Sequence, residues 1–210
     1  MSKLYENIKI RRRKEELSSQ EYSQAVKLIK GENYISILSS LEEGVIIEFL
    51  KISSNSENIY FYTCEKDQQI IGYAILAKEP RYLISEFYKI RFLILKNLVK
   101  KLKIQTIANL ILSFSGLDLI LFSKKNKNLM NESLNLNMLA VKKEYQSKGI
   151  GNFFLKNIIS DINKSKSFNI LSVESFDRRA IDFYKKRFDF KLMGKKIRFF
   201  KNLYILFKSL

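Results

Sequence analysis

The sequence predicts an α/β (α+β) domain, and three observations carry that prediction. Strand-like alternation and helix-like periodicity follow one another along the chain, most plainly across residues 134–162. Two apolar runs, Ile59–Cys64 and Ile70–Ala77, flank the polar stretch Glu65–Gln69 and read as an antiparallel hairpin. At 210 residues and 46% hydrophobic, the chain suits one domain with a sizeable core and is too apolar to be disordered.

Taken in order, Glu6–Arg13 forms a first strand with Ile8 and Ile10 on one face. Ser18-Ser19-Gln20-Glu21 reads as a helix start, and Tyr22, Ala25, Val26 and Ile29 follow at helical spacing. A second helical stretch covers about Tyr34–Leu50, broken or bent near Gly44, and Ser53–Ser56 is a polar loop. After the hairpin, which Pro80 ends, Arg81–Lys103 is a basic amphipathic helix with Leu83, Phe87, Ile90, Ile94 and Leu98 near one face. Ile104–Phe122 is more apolar, but Gln105, Asn109, Gly116 and Asp118 make it too polar and interrupted for a membrane span. This basic insertion, about 81–130, suits an in-plane membrane contact through 81–122, a lid over a site, or a helical layer on the same domain or a second subunit. Ser123–Asn131 is a polar connector.

The next stretch organises the chain. Leu134, Leu136, Met138 and Ala140 alternate with Asn135, Asn137 and Leu139 as in a strand, and Phe154, Leu155, Ile158, Ile159 and Ile162 recur at helical spacing. Between them lies Gln146-Ser147-Lys148-Gly149-Ile150-Gly151. Two glycines there let backbone approach a ligand closely, and a helix start offers unpaired N–H groups and a positive dipole end, which suits a pyrophosphate. A dinucleotide fingerprint would need glycine where Phe154 stands, and a P-loop would need Gly-Lys-Ser/Thr. Downstream, Phe168–Ser175 reads as a strand, Asp177–Lys186 as a short helix, and Lys195–Phe200 and Leu203–Phe207 as final strands turning at Lys201-Asn202.

Composition excludes several chemistries. Histidine is absent, which removes Ser-His-Asp and Cys-His nucleophile systems, histidine bases and the usual zinc sets; no metal is expected. The single cysteine, Cys64, rules out an internal disulfide and reads as packed rather than reactive. The N-terminus is charged and has no signal-peptide core, so a cytoplasmic location is expected, with the membrane's inner face as the place for any peripheral contact. The formal charge of +17 could attract a polyanion, yet the basic residues are spread through a Lys-, Asn- and Ile-rich chain and form no nucleic-acid motif. No specific nucleic-acid partner is expected.

Gln-x-x-Gly-x-Gly after Leu139-Ala140-Val141 resembles the acetyl-CoA motif of the GNAT N-acetyltransferase superfamily, and Asp177-Arg178-Arg179-Ala180-Ile181-Asp182-Phe183-Tyr184-Lys185-Lys186 is similar to its second signature. The hairpin phrase Gln69–Ala74 resembles the family's central hairpin. The likeness is specific over Leu134–Phe207 and architectural over residues 1–80. It implies a single domain over 1–210 with a mixed, mostly antiparallel sheet of about six to seven strands flanked by helices. It also implies acetyl-CoA as co-substrate and direct transfer to a primary amine of a small acceptor, an amino-sugar nucleotide being one candidate. Acetylation of a protein N-terminus or lysine, a non-catalytic acyl-CoA-binding role, and a homodimer stay open. By position, Leu139, Ala140 and Val141 would meet the pantetheine arm, and Gln146, Ser147, Lys148, Gly149, Ile150, Gly151 and Asn152 the pyrophosphate. Tyr184 would be general acid to the leaving thiolate. The strand position that often carries a carboxylate is Asn135 here, which leaves Glu174 as candidate base. Arg187-Phe188-Asp189-Phe190 adds a residue and loses a glycine relative to the family's Leu-Gly-Phe, so the local turn must differ.

Overall fold

The computed structural model describes residues 5–32, 37–90, 93, 124–198 and 201–210. Strand β1 (Ile8–Arg13) leads into α1 (Ser19–Glu32), a one-turn helix α2 (Ile37–Ser40) and α3 (Glu43–Asn55). The hairpin β2 (Ile59–Lys66) and β3 (Gln69–Ala77) is followed by α4 (Pro80–Lys89). Then come α5 (Lys124–Glu132), β4 (Leu134–Val141), α6 (Ile150–Ser165), β5 (Ile170–Ser175), α7 (Arg178–Phe188), β6 (Lys191–Arg198) and β7 (Lys201–Ser209). The seven strands form one sheet in the order β1-β2-β3-β4-β5-β7-β6, antiparallel throughout except for the pair β4–β5.

Local chemistry accounts for the element ends. Glu21 reaches back to the Ser18 N–H at 2.9 Å while Ser18 Oγ accepts from the Glu21 N–H, a capping box that starts α1 where its sequence predicts. The β2–β3 turn has only Asp67 and Gln68 at its centre, both with positive φ, which matches the twist of a tight hairpin. The predicted Tyr34–Leu50 helix, described from Ile37 on, is interrupted at Leu41-Glu42, beside the break or bend expected near Gly44. One expectation fails here: α3 runs on through the serines expected in a loop. Ser53 and Ser54 donate to the carbonyls of Phe49 and Lys51 and so satisfy their hydroxyls inside the helix.

Further differences follow the same logic. Lys124–Glu132, expected within a connector, is helical, and the Met130 carbonyl at its end accepts from Ser133 Oγ and Asn135 Nδ2. The last hairpin turns before Lys201, since Lys201 already pairs with Arg198. Pro80 opens a helix rather than only ending the hairpin, as its fixed φ allows at a first helical position. Helix α4 covers the first part of the predicted Arg81–Lys103 helix and turns Leu83 and Glu86 inward, with Ile90 buried just beyond it. The rest of that helix, apart from Leu93, and the whole Ile104–Phe122 stretch lie outside the described residues. Among the described residues, no helix is long and apolar enough to cross a membrane.

Two cores sandwich the sheet. On one face α1 and α3 pack Ala25, Val26, Ile29, Ile46, Phe49 and Leu50 against Phe61, Tyr73 and Ile75. On the other, α6 packs Ile150, Phe154, Leu155, Ile158 and Ile162 against Tyr62, Cys64, Ile71 and Leu136. β2 and β3 are buried on both faces, so their near-continuous apolar runs replace a strict alternation.

Candidate active site

Strand β4 builds the site by failing to pair. It follows β3 to the end, but its parallel ladder with β5 covers only Leu134–Leu171, Asn135–Ser172 and Leu136–Val173. At that point the β3–β4 register slips, with Ile75 opposite Met138 and Leu76 opposite Leu136, so Asn137 is an extra, exposed residue. The bulge inverts the facing of everything after it. Leu134 and Leu136 pack towards α6, whereas Met138 and Ala140 pack towards α1 and α3, and Leu139 and Val141 take over the α6 side. The single alternation read from the sequence is therefore two half-strands out of phase.

Beyond the bulge the peptide groups sort themselves. The Lys142 N–H donates to the Ile71 carbonyl at 2.8 Å, and in an antiparallel ladder alternate residues bond the same partner strand. Ala140 and Lys142 are thus turned to β3, while Leu139 and Val141 turn their N–H and C=O groups to the side that β5 has vacated. Gly72 seats this end of the strand: a Cβ there would stand 3.0 Å from the Ala140 carbonyl.

The turn that follows is fixed by its own side chain. Gln146 Nε2 donates to the Val141 carbonyl at 2.7 Å, and Lys143–Tyr145 make a single 3₁₀ turn. Ser147 and Gly149 both have positive φ, 57° and 83°, and Gly149 is the residue from which α6 starts. Its carbonyl takes the Phe153 N–H, leaving the first-turn N–H groups of Ile150, Gly151 and Asn152 without helical acceptors. Gly149 suits its positive φ, and a Cβ there would also have to displace the Tyr5 hydroxyl, which would lie 2.5 Å from it. Tyr5 is held there by ring contact with Phe153 at 5.2 Å. Gly151 differs: a Cβ would meet only Phe183, at 3.9 Å. Gln146 through Gly149 are exposed and Ile150 is buried. All the residues singled out for an anionic ligand therefore share one exposed loop and helix start.

The catalytic candidates flank the gap on opposite faces. Tyr184, on α7, is 6% exposed beside Phe183 and Phe190, and burial pushes its phenol well above the ordinary value. Glu174 follows Val173 on β5, beyond the last pair with β4; Leu171 and Val173 face α6, so Glu174 faces away from it, half-buried. Asn135 stands in neither position. It is 5% exposed, its Oδ1 accepts from Ser172 Oγ at 2.7 Å, and its Nδ2 donates to the Ser133 carbonyl at 2.9 Å.

The rest of the second signature folds as a capped helix. Asp177 accepts from the Arg179 N–H at 2.8 Å, and Asp189, with φ 56°, takes the left-handed place that glycine usually fills at a helix end. The Phe190 N–H then returns to the Tyr184 carbonyl at 3.2 Å. That is how the extra residue is accommodated.

A family model described as the acetyltransferase (GNAT) domain matches residues 123–203. Among solved structures, the Drosophila melanogaster polyamine N-acetyltransferase, which forms N-acetylagmatine, is similar at TM-score 0.61 and 12% identity, over 97% of this chain and 100% of that one. The Escherichia coli ribosomal-protein-S18-alanine N-acetyltransferase gives 0.56 and 12%, over 96% and 93%. A GNAT-family acetyltransferase from Elizabethkingia anophelis with acetyl-CoA bound gives 0.52 and 13%, over 98% and 99%. None of the curated proteins matches the sequence. Residues 123–203 thus match the GNAT acetyltransferase family model, and the fold of the chain is the one these acetyltransferases share.

Proposed function

We propose that the protein is an N-acetyltransferase that takes acetyl-CoA as co-substrate and passes its acetyl group directly to a primary amine of a small acceptor, such as an amino-sugar nucleotide. One observation carries this reading: β4 loses its β5 partner after Leu136 and leads, through one 3₁₀ turn, into a left-handed glycine at a helix start. Leu139 and Val141 offer N–H groups, and Leu139 a carbonyl, on the vacated side, which suits the amides of a pantetheine arm. Ala140 is the ladder residue between them. Gln146, Ser147, Lys148, Gly149, Ile150, Gly151 and Asn152 form an exposed turn and helix start that carry N–H donors and one ammonium, which suits a pyrophosphate.

When bound, the co-substrate supplies the acetyl group as a thioester. Tyr184 keeps its proton across the physiological range because burial disfavours the phenolate, so it can hold that proton towards the departing sulfur. Glu174, on the other face, removes a proton from the amine directly or through one water. With Asn135 amidic and hydrogen-bonded, an acceptor amine of low pKa lightens that task, as amino-sugar amines do. Holding amine and acetyl group in line supplies much of the remaining rate.

Calorimetric titration of acetyl-CoA into the wild type and Gly151→Glu tests the donor assignment. Gly151 is the right position because a side chain there meets no backbone. Micromolar binding lost in a folded variant supports the reading; a folded wild type that binds nothing removes it.

A further inference from the structure

Across the sheet from α6, the end of α1 and the start of the motif turn border an open cavity of about 240 Å³ lined by Lys27, Leu28, Lys142, Lys143 and Glu144. Its walls are fixed. Helix α1 is sunk into the core through Ala25, Leu28 and Ile29, and Gln24 Oε1 accepts the Ile70 N–H at 2.8 Å. Lys142 is pinned to Ile71 through its backbone. Three lysines and one glutamate line it, and the carboxylate of that glutamate, Glu144, is two-thirds exposed and only loosely paired with Lys142 at 3.9 Å. The volume is below the roughly 300–1,000 Å³ of pockets that enclose a whole small molecule, so it suits one charged group of a larger ligand.

Position gives this group its owner. Lys142 directly follows Val141, so the cavity begins where the vacated side of β4 ends. It lies on the α1 face, whereas the pyrophosphate loop opens on α6, which packs on the other face. We infer that the cavity binds an anionic group, phosphate or carboxylate, carried by the amine acceptor. The acceptor is then an amine that bears negative charge, and a polyamine, which the same lysines repel, is disfavoured. This rests on the acetyl-CoA reading above.

The test uses inorganic phosphate as probe on ¹⁵N-labelled full-length protein saturated with acetyl-CoA, so that the donor loop is filled. Phosphate should shift the amides of Lys142, Lys143 and Glu144, with an affinity about tenfold weaker in Lys27→Gln/Lys142→Gln, which removes two charge-assisted contacts. Absent shifts, or shifts unchanged in the variant, overturn the inference. A second arm compares CoA with 3′-dephospho-CoA. The variant should bind both as the wild type does; a selective loss for CoA would assign the cavity to the donor's 3′-phosphate and overturn the acceptor assignment. Failure of the folded wild type to bind acetyl-CoA would overturn both readings, a result distinct from intact donor binding beside a phosphate-blind cavity.

Discussion

Ser172 donates its hydroxyl to the Asn135 carboxamide oxygen at 2.7 Å and ties β5 to β4 one residue before the two strands part. Ser133 Oγ lies 2.8 Å from the same hydroxyl, and the Asn135 amide spans the carbonyls of Ser133 and Met130. Because this clasp is buried and satisfied, its role is mechanical. Asn135→Ala should lower stability by about 1–3 kcal/mol in urea unfolding, the cost of leaving its buried partners unpaired. The pH dependence of turnover should not move. An altered pH profile would mean that Asn135 reaches the reacting groups after all.

The two motif glycines should behave oppositely. Gly149→Ala puts a side chain into a left-handed conformation and against Tyr5, and should cost roughly 1–2 kcal/mol of stability. Tyr5→Phe in that background should recover only the part due to the hydroxyl. Gly151→Ala meets no obstacle in a helical position and should hold or raise stability, by up to about 1 kcal/mol, while weakening acetyl-CoA binding. Thermal melts with and without acetyl-CoA read both effects. Equal destabilisation by the two alanines would refute the distinction.

Tyr184→Phe keeps the packing against Phe183 and Phe190 and removes only the proton donor. It should lower kcat by about 10²-fold or more with little change in the KM for acetyl-CoA. Since burial raises the phenol's pKa above its ordinary 10, no alkaline limb below pH 10 should belong to Tyr184. An alkaline limb near pH 8 that vanishes in the phenylalanine variant would contradict this.

Stability should fall at both ends of the pH scale for separate reasons. Arg13 Nη2 bridges Glu21 at 2.7 Å and Glu65 at 2.6 Å, largely out of solvent. Burial alone would raise the Glu21 pKa, but the Ser18 N–H and hydroxyl, with Arg13, bring it below its ordinary 4.5. Its stabilising effect is therefore present above pH 4.5 and fades as pH drops below that. Glu21→Gln should flatten the acid limb. Arg13→Gln, which takes the shared cation from Glu21 and Glu65 but leaves Glu21 its Ser18 bonds and Glu65 its contacts with Arg11 and Thr63, should cost about 1–3 kcal/mol. At the alkaline end, burial and then Glu65 push the Cys64 thiol up to about 12, so its contribution is whole below pH 9 and lost as pH climbs towards 12. Native Cys64 should resist thiol reagents at pH 8, and rapid labelling would show that β2 opens.

What the sequence disclosed and what it hid separate on physical grounds. The motif turn, the α1 capping box and the α7 helix were legible because glycine, serine and acidic residues fix local backbone conformations. The Gln69–Ala77 strand was legible from apolar content alone. The parity change in β4 was not, because Asn137 carries no mark of a bulge and Leu139 reads as an ordinary outward residue until Leu76 is seen opposite Leu136. The clasp at Asn135 needed Ser172, 37 positions away, to be placed beside it. Ser53 and Ser54 looked like a loop because their helical hydrogen bonds go to carbonyls that exist only once the helix has formed. The cavity under α1 is equally tertiary, since Lys27 and Lys142 meet only through the fold.

The three-pair ladder between β4 and β5 has a mechanical consequence. Hydrogen-bonded continuity makes the sheet one object, yet its leaves, β1–β4 and β5–β7, are stitched by fewer pairs than any other neighbours within it. Such a seam is where sub-global opening should start, with amides of each leaf exchanging as a unit of its own. A molecule lodged in the seam would act as its missing stitching, and the two leaves would then open together or not at all.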